Sequence, residues 1–183
     1  MKYAFTIALI TAGSLALSGF ALAQTGADGA NICAAAVRSA RQRDVAAICQ
    51  HGREWISAFT SGDIDRLMSL YTPDAQVALH GQHKLRGKES IRAFFAPALA
   101  ARPKVQFLLQ VEDIRVHGDV AYLISKYWYT SDSQDGKRYQ DAGRSLLIYR
   151  RHRSRQRVGA WKIQVDIDQA SPDVAFPAPA SAR

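Results

Sequence analysis

The spacing of apolar residues changes once along this chain, and that change limits the possible folds more than any other feature. Before Ala100, small or apolar side chains recur every three or four residues. Val45, Ile48, Gly52, Trp55 and Phe59 form one stripe; Ile64, Leu67, Met68 and Tyr71 form a second; Ile91, Phe94 and Phe95 form a third. That is the spacing of a helix face. From Val105 onward the spacing is two: Val105, Phe107, Leu109 and Val111 alternate with polar neighbours, and the parity then flips to Ile114 and Val116. A flip inside one strand is the mark of a β-bulge, here at Glu112-Asp113. The next strand runs from Ala121 to Thr130. Lys126 seeks water, which turns Ala121, Leu123, Ser125, Tyr127 and Tyr129 inward. Tyr139–Arg151 and Gly159–Asp168 supply two more strands, with Trp161, Ile163, Val165 and Ile167 on one face of the last. Helices followed by a run of antiparallel strands is an α+β order, with the helices on one face of a bent sheet.

The punctuation agrees with these elements. Ser61-Gly62-Asp63 stops the first long helix, and Asp63 caps the next. Thr72-Pro73-Asp74 breaks that second helix before a short strand over residues 75–80. Lys88–Ala100 is a third helix with Pro97 as a possible kink. His117-Gly118-Asp119 and Asp135-Gly136 are turn signals between strands.

The N-terminus has a different character. Lys2 supplies a positive end, Ala4–Leu17 is an apolar run, and Ala21-Leu22-Ala23 has the small-residue pattern of a cleavage site. Residues 1–23 therefore read as a secretory signal peptide, with Gln24 as the first mature residue and a periplasmic or extracellular destination. Residues 24–44 are a polar tail and a short Ala-rich helix, residues 45–172 are the folded domain, and residues 173–183 are a flexible Pro/Ala-rich tail. No further apolar run is long enough to span a bilayer as a helix.

Export exposes the two cysteines, Cys33 and Cys49, to an oxidising compartment. In one unbroken helix their Cα atoms would lie about 24 Å apart, too far for a bridge. A disulfide therefore requires the chain to double back, and residues 41–44 are the candidate break, with Asp44 as a cap. Intermolecular pairing and two free thiols are the alternatives.

The order of these motifs resembles the SnoaL-like branch of the nuclear transport factor 2-like superfamily. The residues that carry the resemblance are an aromatic at Trp55, Gly62-Asp63, Leu70-Tyr71, Pro73-Asp74-Ala75, the run from Arg86 to Phe95, Val116–Ala121, Tyr149-Arg150-Arg151 and Gly159–Ile163 with Asp166. The resemblance implies a cone-shaped α+β fold, with N-terminal helices packed on a strongly bent, mostly antiparallel sheet that encloses a pocket. It does not fix a function, since the fold carries isomerases, cyclases, dehydratases and non-enzymatic domains. Ketosteroid isomerase uses a carboxylate base with a Tyr and a protonated Asp as oxyanion donors. By position these fall on Leu79 or His80, on Trp55, and on Ser145 or Leu146. No residue type is reproduced, which argues against steroid isomerisation.

The expected function is binding of a small, largely apolar molecule, with Trp55, Tyr127, Tyr129 and Arg144 as ligand-binding residues. Trp55 combines a large apolar surface with one N–H donor. An isomerase, cyclase or hydratase is the alternative, with His80 and Asp166 as catalytic residues and Tyr127 as a further partner for His80. A third possibility is a non-catalytic homodimeric interaction module; a homodimer is expected in any case, through the apolar patch of Tyr122, Ile124 and Trp128. No cofactor is expected. His80 and His83 lack the third ligand a metal site needs. Arg150–Arg157 is the densest charge in a chain of formal net charge +8; it reads as a solvated loop or a contact for an anionic surface. It lacks the interleaved aromatics that stack on bases, so nucleic acid is not expected.

Overall fold

The computed structural model describes residues 33, 39–101, 104–132, 136–154 and 157–182. The proposed signal peptide lies outside them.

Helix α1 spans Ala40–Ser61, its N-terminus capped by Ser39, whose hydroxyl accepts the Gln42 N–H. The helix therefore starts ahead of Asp44, the expected cap. Asp44 lies inside it and holds Arg151 at 2.8 Å, while Arg151 lies over the Trp161 ring. Cys33 and Cys49 are bonded within the chain, their Cα atoms 5.7 Å apart. Ala40 to Ser61 is one unbroken helix, so the break expected at residues 41–44 is absent. Gly62, at φ 76°, closes α1 in the left-handed region glycine favours. Asp63 caps α2 (Ile64–Ser69) by accepting the Arg66 N–H.

Tyr71 belongs to the next element and not to the helix stripe. Strand β1 covers Tyr71–Ala78 and pairs in parallel with the last strand, opening at Tyr71 opposite Ile163. Thr72-Pro73-Asp74 sits inside β1 at the interval where that pairing lapses, between Tyr71 and Gln76. A proline without an N–H is tolerated at such a gap. After the short β2 (Leu85–Arg86), α3 runs over Gly87–Ala100 and buries Ile91, Phe95 and Leu99 on one face.

Four long strands follow: β3 (Lys104–His117), β4 (Val120–Asp132), β5 (Arg138–Ser154) and β6 (Arg157–Ala170). The sheet order is β2-β1-β6-β5-β4-β3, antiparallel throughout except for β1 against β6. The expected bulge in β3 is present, with the register shifting between Val111 and Asp113. The helices cover the concave face and enclose a core that includes Ile48, Leu67, Tyr71, Ile91, Leu123, Tyr149 and Ile163. This is the α+β cone, an open mixed sheet with N-terminal helices packed against it.

The C-terminal segment departs from the flexible tail expected on composition. Residues 171–182 lie on the opposite face of the sheet. Trp128 is 4% exposed, packed with Val174 and Ala182, and its indole N–H donates to the Ala175 carbonyl at 2.8 Å. Trp128 is thus covered by its own chain, which removes it from the apolar patch expected at a homodimer interface. Tyr122, from the same patch, donates its hydroxyl to Asp113. Among the described residues no helix is long and apolar enough to cross a membrane.

Candidate functional site

A cavity of ≈ 270 Å³ lies between the helices and the concave face of the sheet. Strand alternation places most of its wall. Tyr127 and Tyr129 in β4 stand opposite Gly143 and Asp141 in β5, and Ser125 stands opposite Ser145. These side chains share the inward face with Leu147. Trp55 and Phe59 from α1, Phe94 and Phe95 from α3, and Phe107 from β3 complete the apolar wall. Trp55 stacks on Phe59 at 4.9 Å, and Phe107 lies 6.0 Å from the Tyr127 ring.

The polar groups arrive through a second bulge. Ile148 pairs with Val165 and Tyr149 with Ile163, which leaves Gln164 unmatched. An extra residue exchanges the two faces of a strand. Trp161 and Ile163 point inward before the bulge; Asp166 and Asp168 point inward after it, and Ile167 is 41% exposed. The single apolar face expected for Trp161, Ile163, Val165 and Ile167 is therefore broken at Gln164.

At the inner end the Trp55 indole N–H donates to the Tyr71 hydroxyl at 2.8 Å, and Tyr71 donates to Asp166 Oδ2 at 2.9 Å. Asp166 is 6% exposed. Burial pushes its carboxyl up to about 7, with the Tyr71 hydrogen bond opposing and the Asp168 charge adding to the rise. Burial and the Asp166 charge push the Tyr71 hydroxyl well above its usual range. His51 stands edge-on to Tyr149 behind this group; burial, then the Lys162 charge, lower it to about 4.

At the outer end Asp168 accepts the His80 backbone N–H at 2.6 Å, and His80 Nδ1 lies 3.5 Å from Asp141 Oδ2. Tyr127 donates its hydroxyl to the same Asp141 oxygen at 3.2 Å. Burial raises the Asp168 carboxyl, helped by the Asp141 charge and opposed by His80. Tyr139, 57% exposed, stands at the mouth.

Of the residues singled out in the sequence, Trp55, His80, Tyr127, Tyr129 and Asp166 line the cavity. His80 and Asp166 lie at opposite ends of its polar wall: His80 is paired with Asp141, Asp166 with Tyr71. The Trp55 indole N–H donates to Tyr71, while Trp55 itself lines the cavity. Arg144 does not line the cavity. It sits beside Lys126 on the other face and binds Glu112 and, at 2.6 Å, Asp173, tying the C-terminal segment down. Of the basic run, Arg151 is engaged with Asp44 and Asp119, and Arg150 donates to Gln164. Arg155 lies outside the described residues. Tyr71 and Asp168 were not apparent as site residues from sequence: the one looked like part of a helix stripe, the other like the end of a strand.

Residues 52–155 match the family model of the SnoaL-like domain. Among solved structures, a conserved protein from Planctomyces limnophilus is similar at 23% identity and a TM-score of 0.63, over 72% of this chain and 100% of that one. A ketosteroid isomerase-like protein from Erwinia carotovora atroseptica is similar at 19% identity and 0.58, over 69% and 96%. An NTF2-like protein with a cystatin-like fold from Novosphingobium aromaticivorans is similar at 18% and 0.58, over 77% and 87%. At these identities the likeness is one of fold. No curated protein matches by sequence.

Proposed function

Because the chain belongs to the SnoaL-like family, we propose that it is an exported pocket protein whose cavity binds a small, largely apolar molecule. The observation that carries this reading is the cavity itself. Its wall is aromatic and aliphatic, and its polar groups are gathered along the β5–β6 side, the usual division of labour in a ligand site. At ≈ 270 Å³ it suits a ligand smaller than a typical drug molecule. Its own Trp, Phe and Tyr side chains leave it open instead of plugging it, which favours binding over a purely structural homodimeric module. Export rests on the Lys2–Ala23 leader pattern and on the Cys33–Cys49 bond.

A second reading, an isomerase, cyclase or hydratase, is favoured by the Asp166 carboxyl. Held near 7 beside the Tyr71 hydroxyl, it is suited to exchange protons at neutral pH. The His80–Asp141 pair would serve as a second proton-transfer group at the mouth.

Native mass spectrometry of protein purified from the exported fraction tests the binding reading. A retained small molecule, and a mature chain beginning at Gln24, are expected. A bare chain whose tryptophan emission no small aromatic amine, alcohol or carboxylate alters overturns the binding reading, and a mature chain that keeps Met1 overturns export.

A further inference from the structure

The cavity wall has a sign of charge opposite to that of the chain. The sequence carries 24 Lys and Arg against 16 Asp and Glu. Yet among the described residues no Lys or Arg lines the cavity, whereas Asp141, Asp166 and Asp168 all do. We propose that the cavity selects a cation: a small molecule with an apolar, preferably aromatic, body and one amine or quaternary ammonium group, which lodges among Asp141, Asp168 and the rings of Tyr127, Tyr129 and Tyr139. This rests on the reading of the cavity as a ligand site and adds the charge of its ligand.

Three features of the site support it. The carboxylates are placed by the fold: Asp141 shares the inward face of β5 with Ser145, and the Gln164 bulge turns Asp166 and Asp168 in together. Like charges enclosed in one low-dielectric space repel, and an organic cation relieves that repulsion where an anion adds to it. The neighbouring rings present their faces at different angles. Tyr129 meets Tyr139 at 61° with centroids 5.9 Å apart, and Phe107 meets Tyr129 at 57° and 6.1 Å. Tilted aromatic faces beside carboxylates suit an ammonium group, which is attracted to both. Among the described residues no group of three or more His, Cys, Asp and Glu is arranged to hold a metal ion, so the geometry favours an organic cation over an inorganic one.

The titratable groups around the carboxylates are Tyr71 and His80 from β1 and its end, Tyr127 and Tyr129 from β4, and Tyr139 and Tyr149 from β5, with Trp55 as a further donor from α1. The face of α3 contributes only Phe94, Phe95 and Ala98. A bound cation lowers the proton affinity of Asp166 and Asp168. Binding should therefore release protons, and affinity should rise with pH across about pH 6 to 8.

The test is calorimetric titration of the folded mature chain with three matched probes: phenylbutylamine, phenylbutanol and phenylbutanoate. The amine should bind about tenfold or more tighter than the alcohol, the carboxylate weakest of all, and the amine heat should depend on buffer ionisation with the sign of proton release. Asp141→Asn and, separately, Asp168→Asn should remove most of the preference for the amine over the alcohol, read as the ratio of the two affinities in each variant. Each Asn keeps an oxygen acceptor for its neighbours, and a thermal melt verifies folding. Equal affinity for amine and alcohol, or tightest binding of phenylbutanoate, overturns the cation proposal while the cavity remains a ligand site. If none of the three probes binds, both readings fall.

Discussion

Tyr71 and Asp166, 95 residues apart in sequence, share a hydrogen bond of 2.9 Å at the inner end of the cavity. The bond exists because β1 and β6 run in parallel side by side and because the Gln164 bulge turns Asp166 inward. It joins the first strand to the last and fixes the carboxyl that dominates the chemistry of the site.

The pH dependence of stability follows from Asp166 and His51 together. The folded-state value of Asp166, about 7 against 3.8, means that the folded chain holds more protons than the unfolded one across that interval. Its contribution is complete below the lower value and lost as pH rises through the upper. His51, about 4 when folded against 6.5, does the reverse, so stability rises over its interval. The two oppose each other, and the wild type should vary little between about pH 4 and 6.5. Asp166→Asn should leave the His51 effect exposed, with stability rising by roughly 2–3 kcal/mol over that range; His51→Gln should give a fall. Urea unfolding at three pH values checks this, and parallel slopes in both variants would refute it.

Gly52 offers a way to fill the cavity without disturbing the fold. It lies on the wall, in α1, and a Cβ built there meets nothing within 4 Å. Gly52→Leu should raise stability by up to about 1 kcal/mol, since a helix interior disfavours glycine. The same side chain occupies ligand space, so affinity for any cavity ligand should fall by at least about tenfold. A melt and a titration on one preparation measure both. A variant that binds as well as wild type would show that the ligand does not reach this wall.

The two bulges show why part of the site could be read in the sequence and part could not. At Glu112-Asp113 the apolar pattern itself changes parity, so the flip is visible in the residue types. At Gln164 it is hidden: Val165 and Ile167 continue the alternation of Trp161 and Ile163, and those two outward residues are apolar although Ile167 is 41% exposed. Only pairing with β5 shows that the acidic residues turn in. Trp55, Tyr127 and Tyr129 were legible because their elements are regular. Tyr71 was not, because Leu67, Met68 and Tyr71 keep helical spacing across a helix end that pairing with β6 sets.

The disulfide should carry a measurable part of the stability. It closes a loop of 16 residues and anchors the segment preceding α1 to Cys49, which lies in the core. Cys33→Ser leaves Cys49 in place and should lower unfolding free energy by about 3 kcal/mol, the loop-closure entropy of such a ring. The variant, or wild type in reductant, should show this in denaturant melts. A change below about 0.5 kcal/mol would mean that other contacts hold the segment.

The C-terminal segment is the last element with a consequence for behaviour in solution. Trp128, Leu108 and Ala142 share the sheet face away from the cavity, and Val174, Ala178 and Ala182 cover them. Arg144 fastens the segment through Asp173, whose carboxyl it holds at about 2. Ending the chain at Ala170 uncovers the Trp128 indole and leaves its N–H without the Ala175 carbonyl. The loss of buried apolar area should cost about 2–4 kcal/mol. The exposed strip joins Tyr122 and Ile124 in one apolar surface, the kind that associates. The truncated chain should therefore self-associate more strongly than the full one by sedimentation at equal concentration, with Trp128 emission shifted to the red. Arg144→Gln in the full chain should give a weaker form of the same change, since it loosens the segment without removing it. If truncation leaves sedimentation and emission unaltered, the segment does not shield this face in solution.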